Sequence, residues 1–316
     1  MKRLLIALFV VICCHAPAVF SLEFTLIEGV GNLAYNEENT TPLSEGIPVP
    51  PPGTFIYGTF TPSFYPLILA RISGDIAGGL SFNVGFNRSP IMRNRLFANI
   101  RFDHNYFFLE AGPVLGLLNS SKLPVNPGLS ATVRAMLPGI IYLEASGSST
   151  LAAIPMEKKG RYSQVSADLS FGFWVPHVIC SFNMSIENYN LRKETNFLIE
   201  DKSQRYFFRA DVFTKNFPYT VKVDMGFQRI MRSYSLITGT DIDTVTDEFR
   251  SIFAGMEGVF TINPSLKLLV GAEIPVYSWS VRPMNDPEKK TFFFNARLGI
   301  IWTLTGKNKE SVSADE

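Results

Sequence analysis

Apolar and polar residues alternate along almost the whole chain. Between Ile68 and Phe86 the even positions carry Ile68, Ala70, Ile72, Gly74, Ile76, Gly78, Leu80, Phe82, Val84 and Phe86, while the odd positions carry Arg71, Ser73, Asp75, Ser81 and Asn83. A period of two sends successive side chains to opposite faces of a strand, so this segment has one apolar and one polar face. Similar runs cover 22–36, 54–62, 67–88, 94–103, 106–118, 127–137, 139–149, 161–175, 177–189, 203–215, 218–231, 247–262, 265–281 and 290–304. They predict an all-β chain of about 14 strands, with a range of 12 to 16, and no helix.

The segment 67–88 is about twice as long as a membrane crossing requires. A two-residue hairpin at Gly74-Asp75 or Gly78-Gly79 would shift the apolar parity by one. The parity holds, which predicts a single long strand. Tight connections at 103–105, Pro138, 176–177, 216–218 and 263–264 alternate with longer polar ones at 37–53, 89–93, 119–126, 150–160, 190–202, 232–246 and 282–289.

Composition narrows the alternatives. The chain has 316 residues, with Lys+Arg 29 against Asp+Glu 28, so net charge gives no argument for nucleic acid as a partner. Lys2 and Arg3 precede an apolar run from Leu4 to Cys14, and small residues follow near Val19 and Ser21. This predicts a signal peptide over 1–21, a barrel over 22–304 and a polar periplasmic tail over 305–316. With the leader removed only Cys180 remains, which excludes a disulfide within the chain. No apolar run reaches the roughly 18 residues that a membrane helix needs, so a closed barrel is the one membrane architecture left.

The polar parity is heavily charged. It carries Arg71, Arg93, Arg95, Arg101, Arg134, Arg205, Arg209, Lys215, Lys222, Lys267 and Arg297 with Asp75, Glu110, Glu144, Asp168, Glu187, Asp211, Asp224, Glu257 and Glu273. Burying such groups in a dry core costs several kcal/mol per ion, so this face must be wet. A closed sheet of 14 strands is too wide for side chains to fill, which turns its apolar face outward, into lipid. These residues are therefore the expected lining of a lumen. Aromatics gather near strand ends: Phe102, Phe107, Phe173, Tyr219, Phe260 and Trp302 by the tight turns, and Phe86, Tyr206, Phe249 and Phe292 by the loops. They predict two interfacial girdles.

The last predicted strand carries Arg297, Gly299, Trp302 and Leu304. This spacing resembles the assembly signal of bacterial outer-membrane β-barrel proteins, although it ends in Leu304 and twelve residues follow it. The resemblance implies a transmembrane up-and-down antiparallel barrel, porin-like, in the bacterial outer membrane; with the short turns periplasmic, an even strand count puts both termini on that side. Its implied partners are outer-membrane lipid, the barrel-assembly machinery and small solutes.

No catalytic constellation, cofactor motif or metal site emerges. His15 falls in the leader, and His104 and His177 fall in predicted periplasmic turns, away from any Ser or Asp at the outer rim. Asp241, Asp243, Asp247 and Glu248 lack the spacing of a calcium loop and read as a solvated acidic loop. Cys180 shares the apolar parity with Val178 and Phe182. Three functions remain: a passive pore of modest diameter with weak ion selectivity, a surface interaction protein anchored by its barrel, and a transporter of hydrophobic compounds. The third resembles the fourteen-strand fatty-acid transporters, which implies an N-terminal plug. Here alternation begins almost at the predicted cleavage site and leaves it no room.

Overall fold

The computed structural model describes residues 21–31, 65–88, 94–117, 126–137, 140–150, 161–175, 177–193, 197–213, 219–238, 241–282 and 294–305. Fourteen strands account for nearly all of them: β1 Ser21–Gly31, β2 Tyr65–Ala77, β3 Leu80–Arg88, β4 Asn94–His104, β5 Phe107–Leu117, β6 Asn126–Leu137, β7 Ile141–Thr150, β8 Arg161–Val175, β9 Val178–Lys193, β10 Phe197–Phe213, β11 Tyr219–Thr238, β12 Asp241–Asn263, β13 Leu266–Arg282 and β14 Asn295–Thr305. Each pairs antiparallel with its sequence neighbours, and β14 closes on β1 from Ser21↔Thr305 to Gly31↔Asn295. Closure leaves no unpaired sheet edge, which is what a strand protein needs in a medium that cannot hydrogen-bond.

Side chains sort by parity around the ring. Phe208 is 66% exposed while Phe207, beside it, is 9% exposed. Leu129, Phe173, Met225 and Met256 are likewise open on the outside, whereas Tyr189, Phe253 and Ser251 are fully buried within. The outer face is thus a continuous apolar surface far beyond what a water-soluble protein leaves open. It makes the barrel a membrane-spanning one. Cys180 lies on this exposed outer face.

The expected long strand over 67–88 is two strands. Gly78 and Gly79 adopt φ of +60° and +82° and make a two-residue hairpin turn, a conformation glycine takes without a Cβ penalty. The turn does flip the parity, as expected. A bulge between Asp75 and Ala77 then flips it back, since Asp75 pairs with Ser81 and Ala77 with Leu80. Two compensating shifts made a hairpin look like one strand. The expected strand over 54–62 lies outside the described residues, and so does the leader.

The segments 190–202 and 232–246, expected as loops, are largely strand. β9 and β10 extend to Lys193 and from Phe197, and β11 and β12 run to Thr238 and from Asp241. Ser233, Thr244 and Thr246 suit a strand but offer no apolar stripe, so a ladder that rises above the lipid band has no hydrophobic signature. Asp241, Asp243, Asp247 and Glu248 belong to β12, not to a loop. At the turn rim three of the turns also bond to the next strand: the Asp103 N–H donates to the Gly79 carbonyl (2.7 Å), Met136 to Tyr106 (2.7 Å) and Thr303 to Ser265 (2.8 Å).

Candidate functional site

The inner wall brings together the charged residues that alternation singles out. Register places Arg71, Asp75, Arg95, Arg101, Glu110, Arg134, Glu144, Asp168, Glu187, Arg205, Arg209, Asp211, Lys222, Asp224, Glu257, Lys267, Glu273 and Arg297 on one face, opposite the exposed apolar set. Arg93 and Lys215 lie outside the described residues. Glu23, Asp103 and Asp201 also stand on this face, so carboxylates outnumber cations there among the described side chains.

Most of these charges are matched locally. Arg209 makes a two-bond fork with Asp224 (2.8 and 2.9 Å). Lys222 and Arg297 share Glu257 at 3.2 and 3.4 Å, and Arg205 reaches Glu273 at 2.6 Å. Arg134 pairs with Glu144, which also accepts the Tyr142 hydroxyl at 2.8 Å. Arg71 stands 3.7 Å from Glu23, and Arg101 2.6 Å from Asp103. Asp211 lies across the ladder from Lys222. Glu110 has neutral partners, accepting from Asn83 and Asn99 at 3.2 and 2.7 Å. Asp75 and Lys267 sit toward the turn rim.

The wall also carries aromatics that the charge pattern did not reveal. The Arg205 guanidinium lies 4.3 Å from the Phe253 ring centre, and Arg209 lies 5.2 Å from that of Phe207. Across the barrel Arg101 and Arg134 flank Phe108 at 4.1 and 4.4 Å. Stacking on a ring face lets a guanidinium stand in a crowded lumen at little electrostatic cost. Phe249, expected in the outer girdle, points inward and is 2% exposed. It follows Glu248 in the extended part of β12, where the apolar parity no longer marks lipid. Of the other girdle aromatics, Phe102, Phe173, Phe260 and Trp302 are exposed on the outer face.

The lumen is lopsided. Tyr189, Phe207, Ile230, Phe249 and Phe253 from β9–β12 fill one side. The adjoining wall, β6–β8, presents Ser130, Thr132, Ser146, Ser148, Ser166 and Ser170, and there the sheet curves sharply enough for β5 to approach β7 and β6 to approach β8. A polar recess of about 200 Å³ opens on this side. His104 stacks on Phe107 at 5.0 Å in the turn region, outside the lumen.

Gly299, from the assembly-signal spacing, lies where an added Cβ would come 2.7 Å from the Ile27 side chain. Arg297 faces inward, and Trp302 packs on Phe24 across the closing seam with ring centres 5.9 Å apart.

No protein-family model matches the sequence, and a search of the curated proteins finds no match. Among solved structures the chain is similar to an outer membrane channel from Pseudomonas putida F1, with 9% identity, TM-score 0.43, and 91% and 96% of the two chains covered. It is also similar to a loop-deletion mutant of OmpT, an outer membrane protein of Vibrio cholerae, at 8% identity and TM-score 0.41 over 90% and 98%. The outer membrane protein opdK from Pseudomonas aeruginosa gives 10% identity and TM-score 0.31 over 90% and 98%. With likenesses this distant, the closed fourteen-strand barrel stands on its own register.

Proposed function

We propose that the chain is an integral barrel of a bacterial outer membrane and a passive channel for small hydrophilic solutes. One observation carries this reading: the same strands that offer lipid a continuous apolar band line their inner side with paired charges, hydroxyls and amides. The rim that gathers the tight turns and both terminal strand ends is assigned to the periplasm, where short turns face in such barrels. β14 serves as the recognition strand for the assembly machinery.

The paired charges leave little net field along the path, and the carboxylate excess gives a modest cation preference. Refolded protein in planar bilayers should show discrete single-channel currents with cations favoured by no more than a few-fold. Strong anion selectivity would contradict the reading.

The full burial of Tyr189, Phe253 and Ser251 inside the barrel favours a second reading, an anchored surface protein whose lumen is partly filled. A sealed bilayer, together with ligand binding to whole cells, would select it.

A further inference from the structure

We propose that the recess in the β4–β8 wall is a binding subsite for one small, neutral, polyhydroxylated solute, a single sugar ring or a polyol of that size. The proposal rests on the channel reading and names the class of solute it would take. The recess measures about 200 Å³, the scale of one such molecule.

Its chemistry is specific in kind. Arg95 reaches across from β4 and donates from Nη1 to the Ser148 hydroxyl at 2.7 Å. Ser148 and Ser166 share a hydrogen bond of 2.8 Å, and Ser146 donates to Asp168 at 3.1 Å. Each hydroxyl can still offer a donor or acceptor, since a serine oxygen carries one proton and two lone pairs. A neutral polyol, itself donor and acceptor at every hydroxyl, matches that set.

Ionic solutes match it less well. The one cation lining the recess, Arg95, is already engaged by Asp168, which shares the lining, and by Glu187, so an anion would find no free positive charge there. A cation would have to displace Arg95 from them. A neutral solute also sheds its water without the desolvation cost of an ion. Phe97 and Val114 border the same recess and offer an apolar surface for the C–H face of a ring. The wall is already hydrogen-bonded in place, so little side-chain ordering opposes binding.

The test uses the full barrel refolded in planar bilayers and, separately, in detergent for titration calorimetry, with glucose, succinate and putrescine as probes. Glucose should reduce the KCl current saturably and bind in the calorimeter, whereas succinate and putrescine should do neither at equal concentration. Ser148→Leu/Ser166→Leu should weaken glucose binding about tenfold or more, and Ser148→Thr should retain it. Heat-modified migration on gels checks that each variant is folded. Current without saturable glucose binding overturns the subsite and leaves the channel. Recess-dependent glucose binding without current overturns the channel and keeps the subsite. Equal binding of succinate overturns the assignment to neutral solutes.

Discussion

Two adjacent glycines show how local the determinants of this fold are. Gly78 and Gly79 both have positive φ, but a Cβ at Gly78 meets nothing within 4 Å whereas one at Gly79 would stand 2.6 Å from the Asp103 carbonyl oxygen. Left-handed backbone costs an L-residue roughly 1–2 kcal/mol. Gly78→Ala should therefore lower the unfolding free energy by about 1 kcal/mol, and Gly79→Val by about 2 kcal/mol or more, in urea titrations of refolded protein. Leu169 and Ser170 test the two faces in the same way. Leu169→Arg puts a charge on the lipid face and should cost about 2–4 kcal/mol, while Ser170→Arg, pointing into the lumen, should cost about 1 kcal/mol or less. Equal losses at the two positions would refute the face assignment. At this scale the sequence was legible wherever charge marked the inner face. Phe207 and Phe253 escaped because each is flanked by apolar residues, Tyr206 with Phe208 and Ile252 with Ala254, so alternation is locally silent; Phe249 escaped because its charged neighbours, Glu248 and Arg250, stand on the outer face above the lipid band.

Among the elements, β10–β13 mark the upper limit of the lipid. Their outer faces pass from Phe208, Met225 and Met256 to an aromatic level with Tyr206, Phe227 and Tyr277, and then to Lys202, Arg229, Glu248 and Arg250. Arg229 and Arg250 sit directly opposite each other, an unfavourable placement for like charges that Glu248 between them relieves; it accepts from both, at 2.6 Å in the case of Arg250. Strand above that level carries no apolar stripe, which explains why segment 232–246 resembled a loop. Alternation reports a strand only where its two faces see different media. At the closing seam Trp302 is exposed to lipid and stacks on Phe24. Trp302→Ala should reduce the amount of barrel inserted in cells several-fold while leaving the strand signal of protein refolded in detergent unchanged. Equal loss in both assays would reduce the residue's role to packing.

For the molecule as a whole, strand number was legible for a partly accidental reason. Alternation predicts one strand at 54–62 and a single one over 67–88, whereas the closed ring takes two strands from 65–88, so the total of fourteen is unchanged. The charged lining was legible because ions cannot be hidden from water at this density. The recess was not, because serines and threonines scattered over β6, β7 and β8 have no common signature until curvature brings them together.

The lopsided lumen divides the barrel's constraints between its two sides. Packing within the barrel is concentrated on β9–β12, where large buried side chains tie the wall together, and open space is concentrated on β6–β8, where serines and threonines leave it free. Substitutions on the first side will be felt mainly as lost stability. In the proposed channel, substitutions on the second can alter what passes with little structural consequence, so a lineage could change its solute through β6, β7 and β8 alone and leave the rest of the ring as it is.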